Sequence, residues 1–247
     1  FRALTSGDLA GLDSADFNAL TSQQVASMTA DQWRAVGTDD IAGLRTEPLA
    51  AIASTTLATL SSVQIGALGS DQLQALTSGQ LRALTTAQLA GLSTDDLNKL
   101  TTDQLQLMTT VQVAALSNAQ VGGLGADALA VLTTAQVRAI GTAAIAAMDS
   151  ADLAALTTTQ LAALTTAQVR AIDAADFAGL STDDMQALTS VQLAALSSVQ
   201  FNALSNGQVG ALTTAQLPGV STAQLAAMST EDLNAFTTAQ IAALTTV

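Results

Sequence analysis

Cysteine, histidine and tyrosine are absent from the 247 residues, and proline occurs only twice. With no Cys there are no disulfides, a pattern compatible with surface and secreted proteins as well as cytosolic ones. With neither Cys nor His, the usual zinc, haem and iron–sulfur ligand sets are missing, as are Cys–His and Ser–His–Asp catalysis. Aromatic residues make up 2% and charged residues 11%, against roughly 25% charged in an average soluble domain. Seven Lys and Arg face twenty Asp and Glu, a net charge of −13. That balance argues against a nucleic-acid partner, because phosphate binding is driven by clustered cations. Mean hydropathy is positive, at +0.40. Polar residues nevertheless recur every few positions, and no apolar run approaches the ~18–20 residues of a spanning helix. Membrane insertion is not expected.

What the chain does have is an eight-residue period. Leu4, Leu12, Leu20, Met28 and Val36 begin a series that runs to Leu244, and all 31 members are apolar. A second series from Phe1 through Leu9, Phe17, Val25 and Trp33 to Ile241 also has 31 members, all apolar. Lettering the octad a to h from Leu4 gives the consensus L-[TS]-[TS]-x-[QD]-[LV]-x-[AG]. Representative copies are Leu84 to Gly91 (LTTAQLAG) and Leu164 to Ala171 (LTTAQVRA). The phase never slips, so residues 1–247 read as a single uninterrupted array with no linker.

The octad carries the signals of one short helix. Large apolar residues are spaced five and then three apart, which a half-buried strand would not show. Position b is Ser, Thr, Asp or Gly in 29 of 31 copies, Arg45 and Ala53 being the exceptions; these are favoured N-cap residues. Position e, three residues on, is mostly Gln or Asp, the pattern of a capping box, and a and f are placed as a hydrophobic staple. Charges agree. All twenty acids fall at b, d or e, at the helix start. Six of the seven bases (Arg2, Arg34, Arg82, Lys99, Arg138, Arg170) fall at g or h, near its end. A helix macrodipole favours this segregation by roughly 0.3–1 kcal/mol per charge.

Helices of six or seven residues do not form alone in water, so stacking must supply their stability. The expected fold is an all-α solenoid of very short helices, one per octad. Small residues at h (20 Ala, 6 Gly) let backbones approach. Five of the six glycines at h (Gly11, Gly43, Gly91, Gly123, Gly219) share a 16-residue phase, which predicts two octads per coil; three is the alternative. Pro48 at e fits a first helical turn, whereas Pro218 at g, followed by Gly219, predicts a distorted helix. The competing fold is a β-solenoid with Thr ladders, disfavoured because Ala and Gln are poor strand residues.

Candidate sites are few. The acidic pairs Asp39–Asp40, Asp95–Asp96, Asp183–Asp184 and Glu231–Asp232 raise the question of calcium, which needs six to eight oxygen ligands. None has D-x-D-x-D-G spacing, and the octad frame explains them as helix-start charges. The same frame leaves no companion nucleophile for an acid–base pair. Trp33, Phe1, Phe17, Phe177, Phe201 and Phe236 all lie at a or f and are assigned to the core. Arg2, Arg34, Arg82, Arg138 and Arg170 are scattered rather than clustered. No catalytic, cofactor or metal residue is assigned, and no enzymatic activity is expected.

The consensus LTTxQ[LV]xAL resembles Leu/Thr/Ala/Gln-rich tandem arrays in very large bacterial surface or secreted proteins of the adhesin and repeats-in-toxin type. The likeness extends over the whole chain. It implies an extracellular, extended, non-catalytic role at the cell surface. The glycine- and aspartate-rich calcium nonapeptides found elsewhere in such proteins are missing here. Starting at f and ending at d, in mid-repeat, the stretch is expected to be a segment of a longer array. The function expected is structural: a rod or self-assembling filament whose partner is itself. A solenoid face recognising a peptide, glycan or host surface is the alternative, and ice binding through Thr/Ser arrays a remote one.

Overall fold

The computed structural model describes residues 3–244; Phe1 and Arg2 lie outside them. Among the described residues there is no strand, and the chain is a succession of helices of three to seven residues, one per octad. The fold is therefore an all-α solenoid, and the β-solenoid alternative is set aside. No helix among the described residues is long and apolar enough to cross a membrane. Two compact units can be distinguished, Phe1–Gly123 and Leu124–Val247. Both are built from the same octad.

Each octad closes a single turn. In the helix Ser78–Ala83, the N-cap Thr77 is extended (φ −67°, ψ 156°). The Leu81 N–H (position f) donates to the Thr77 carbonyl at 2.9 Å, and the Leu84 N–H (the next a) donates to the Leu81 carbonyl at 3.2 Å. Residue a is itself extended (Leu84 φ −56°, ψ 128°). Two extended residues, a and b, thus make the whole corner, and loops disappear. No described residue has positive φ. The f and a side chains form the core: Leu81, Leu84, Leu89 and Leu92 are all buried, as are Phe17, Trp33, Phe177, Phe201 and Phe236. In the first unit, Phe17 and Trp33 stack with ring centroids 6.2 Å apart.

The coil differs from expectation. Helices pack against the third octad along, not the second: Ser78–Ala83 lies against Ser54–Leu57 on one side and Thr102–Leu107 on the other. Where e is a buried Gln, hydrogen bonds then tie the helix to the fourth octad back, as from Gln80 to partners 28 and 31 residues away. A coil therefore holds between three and four octads, and each helix straddles two in the coil beneath. The physical reason is the corner: two extended residues turn the chain by less than the reversal that an αα pair needs.

The glycine phase has another cause. A Cβ on Gly43, Gly91, Gly123, Gly179 or Gly219 would come within 3 Å of Ser14, Ser62, Thr94, Ser150 or Ser190 respectively, in each case the c residue 29 positions earlier. Glycine at h provides the space that this particular approach requires. Gly179, which breaks the 16-residue phase, obeys the 29-residue rule.

The two departures from α-helix are 3-10 segments, Ala174–Gly179 and Leu217–Gly219. The second contains Pro218, at the place where distortion is expected. Pro48, by contrast, is accommodated inside Thr46–Ala51 without breaking it.

Candidate functional site

The polar residue with the most chemistry to explain is the glutamine at e. Every buried polar or charged residue among those described is a Gln at this position, seventeen in all; burying an amide is costly unless its hydrogen bonds are made. Gln88 shows how they are made. Its Oε1 accepts from the Thr85 N–H at 2.8 Å, while its own N–H donates to Thr85 Oγ1 at 3.2 Å. That is the expected capping box. Its Nε2 meanwhile donates to the carbonyls of Leu57 at 2.9 Å and Leu60 at 2.8 Å, the last f and a carbonyls of a helix one coil back. One side chain thus caps its own helix start and another helix's end, satisfying groups that short helices leave open. The second role went unread in the sequence, because it spans 28 and 31 residues. Its signal was the preference for Gln over Asp: both cap, but only Gln donates.

Position g supplies a second link between coils. Asn98 Nδ2 donates to the Gly123 carbonyl at 2.8 Å and Gln74 Nε2 to the Lys99 carbonyl at 3.0 Å. Arg34 Nε reaches Thr59 O and Arg170 Nε reaches Ala195 O, both at 3.1 Å. The arginines read as helix-end charges thus also cap carbonyls in the adjoining coil. In the octad where Arg45 and Pro48 replace the b and e residues, an Asn at g compensates. Arg45 has no capping side chain and Pro48 offers no acceptor, so the Arg45 N–H goes to Asn18 Oδ1 at 2.7 Å, and Asn18 Nδ2 donates to Gly43 O.

The acidic pairs lie at helix starts. Asp39–Asp40, Asp95–Asp96, Asp183–Asp184 and Glu231–Asp232 occupy first turns. Asp96, Asp184 and Asp232 accept from the N–H of Ser93, Ser181 and Ser229 at 2.9–3.1 Å. Among the described residues no group of three or more His, Cys, Asp or Glu is placed to hold a metal ion.

In the second unit, acids do accumulate on adjoining helices. Asp149 and Asp152 belong to the octad of Ser150–Ala155, and Asp173 and Asp176 to the Ala174–Gly179 octad packed on it. Burial pushes the Asp152 carboxyl above its ordinary range, with the charges of Asp149 and Asp176 adding to the shift. Asp176 is raised by burial and by Asp173 and Asp149. In the first unit, Asp8 is held low by the Thr5 hydroxyl and then the Thr5 N–H.

The outward face is formed by b, c, d and g. Its largest exposed apolar side chains among the described residues include four valines, Val63, Val111, Val191 and Val199, all at d. Shallow grooves open where a corner meets the helix start of the coil above. One in the first unit is lined by Arg34, Gly37, Ser61, Val63 and Gln64. One in the second unit is lined by the equivalent octad positions, Arg170, Asp173, Ser197, Val199 and Gln200.

A family model described as the ALTTAQ repeat matches residues 1–38, 9–46, 41–78, 75–110, 145–182, 177–214 and 214–246. No curated protein matches the chain.

Proposed function

The chain belongs to the ALTTAQ repeat family, its matches taking in most of the sequence, and from that premise we propose that it is a non-catalytic structural module: an extracellular rod, or the building block of a self-assembling surface filament. The observation that carries this reading is where the repeat spends its polar chemistry. The e amide, the polar group that the octad repeatedly buries, is turned inward to cap helices and bind coil to coil, and the b hydroxyl on the outward face is engaged as acceptor of the e N–H. Both groups serve the coil itself rather than a ligand. Stacking of like units is also what gives solenoids their extended form. The likeness to tandem arrays of large bacterial surface proteins supports placement at the cell surface, and the net charge of −13 supports solubility of an extended chain.

Electron microscopy of the purified chain, with light scattering on the same sample, tests the proposal. Regular filaments or bundles with concentration-dependent mass are expected. Dispersed monomers that bind a glycan or peptide saturably would replace it with the binding-module reading.

A further inference from the structure

The two equivalent grooves differ in one respect. In the first unit, Arg34 is neutralised by Asp31 at 2.8 Å. In the second, Arg170 has no ion pair among the described residues, although its Nε is anchored on Ala195 O. Val199, in the same groove, is 71% exposed, and Val191 stands exposed on the helix whose Ala195 carbonyl receives Arg170. Asp173 lines the same groove. A fixed cation, an exposed apolar side chain and a carboxylate therefore share one groove.

We propose that this surface of the second unit docks a second copy of the chain about a two-fold axis. Arg170 of each copy then faces Asp173 of the other, and the two Val199 side chains cover one another. The inference rests on the self-association reading and names its contact. Charge complementarity selects the occupant. A patch carrying a cation next to anions is self-complementary when rotated onto itself, as an isologous interface requires. In a chain of net charge −13, close approach of two copies needs such a cation on the contact surface. The Asp173 carboxylate also gains from it, since it makes no ion pair with a Lys or Arg among the described residues of its own unit and lines the same groove as Arg170.

Sedimentation velocity over a range of protein concentrations tests this, with far-UV circular dichroism to verify that each variant folds. Arg170→Glu, and separately Val199→Asp, should raise the concentration needed for pairing by about tenfold or more, the equivalent of about 1.4 kcal/mol. The Val199 variant keeps the Arg170 anchor and introduces an acid at a helix start, where it is tolerated. Asp173→Lys should fail to pair with itself yet form mixed dimers with the Arg170→Glu chain. Arg34→Glu in the first unit should leave pairing unchanged. If the unaltered chain associates and neither Arg170→Glu nor Val199→Asp weakens it, this surface is wrong while self-association stands. If the unaltered chain is monomeric at every concentration, both fall.

Discussion

At the scale of the residue, the e glutamine carries the most information per atom. A buried amide that makes one acceptor bond and two donor bonds is fully employed, so replacing Gln88 strands two backbone groups at once, the Thr85 N–H and the Leu60 carbonyl, while the Leu57 carbonyl still accepts from the Leu60 N–H at 3.1 Å. Each stranded buried group costs about 1–3 kcal/mol. Gln88→Met, close in volume, should therefore destabilise the first unit by about 2–4 kcal/mol, and Gln88→Glu by more, because a charge is buried against two carbonyl oxygens. Urea denaturation followed by circular dichroism measures both; a shift under about 0.5 kcal/mol for the Met variant would show that water replaces the clamp freely. The local half of this residue's work was legible in the sequence, since Thr85 and Gln88 are three apart and the box is a short-range pattern. The distant half was not. Leu57 and Leu60 become partners only once the coil closes, and nothing in an eight-residue motif states how many motifs make a turn. Trp33 shows the complementary limit: its f position assigned it to the core correctly, yet its Nε1 is buried without a partner, a detail periodicity does not reveal.

At the scale of the element, the question is how helices of a single turn persist. They do so because a and b form a loopless corner and because the h residue meets c of the previous coil. Helix existence, polarity and start sites were legible through the N-caps and the charge segregation. The departures at Arg45, Ala53 and Pro218 were legible too, because each breaks a rule the other copies keep. Ala53 indeed leaves its helix, Ser54–Leu57, without a side-chain cap and only four residues long. Coil number was misread, since the glycines at h follow both a 16-residue phase and a 29-residue contact. The contact rule makes opposite predictions for two of them. A Cβ on Gly219 would lie 2.0 Å from Ser190 O, whereas one on Gly11, also at h, meets only Asp8 O at an ordinary 3.6 Å. Gly219→Ala should cost about 2 kcal/mol or more through a clash with backbone that cannot step aside. Gly11→Ala should stabilise by about 0.4–1 kcal/mol through the unfolded chain. Thermal melts of the two variants in parallel check the pair; equal effects would mean that packing at h does not decide where glycine occurs.

At the scale of the whole molecule, twenty acids distributed among helix starts give a chain whose charge is tolerated locally but accumulates where octads stack. The crowded octads of the second unit are the clearest case. The folded-state proton affinities of Asp152 and Asp176 are raised, by burial first and neighbouring carboxylates second. A raised carboxyl binds its proton more tightly folded than unfolded, so protonation favours folding. The resulting penalty is present in full above the folded-state value and disappears as pH falls below the unfolded-state value, about 3.9 for Asp. Asp8 has the opposite sign: its lowered value adds stability at neutral pH that acid removes. Its full exposure keeps that contribution minor. The second unit should therefore become more stable as pH is lowered from 7 toward about 4, contrary to the usual acid denaturation of proteins whose carboxylates are paired. Asp176→Asn keeps an acceptor for the Ser150 N–H while removing the charge. It should raise the melting temperature at pH 7 and flatten the rise on acidification. Melting curves of both chains between pH 7 and pH 4 decide the matter: parallel curves would place the acid response elsewhere in the array. Convergence at low pH would tie it to these stacked octads, and would make protonation of their carboxylates a physical lever on the stability of the coil.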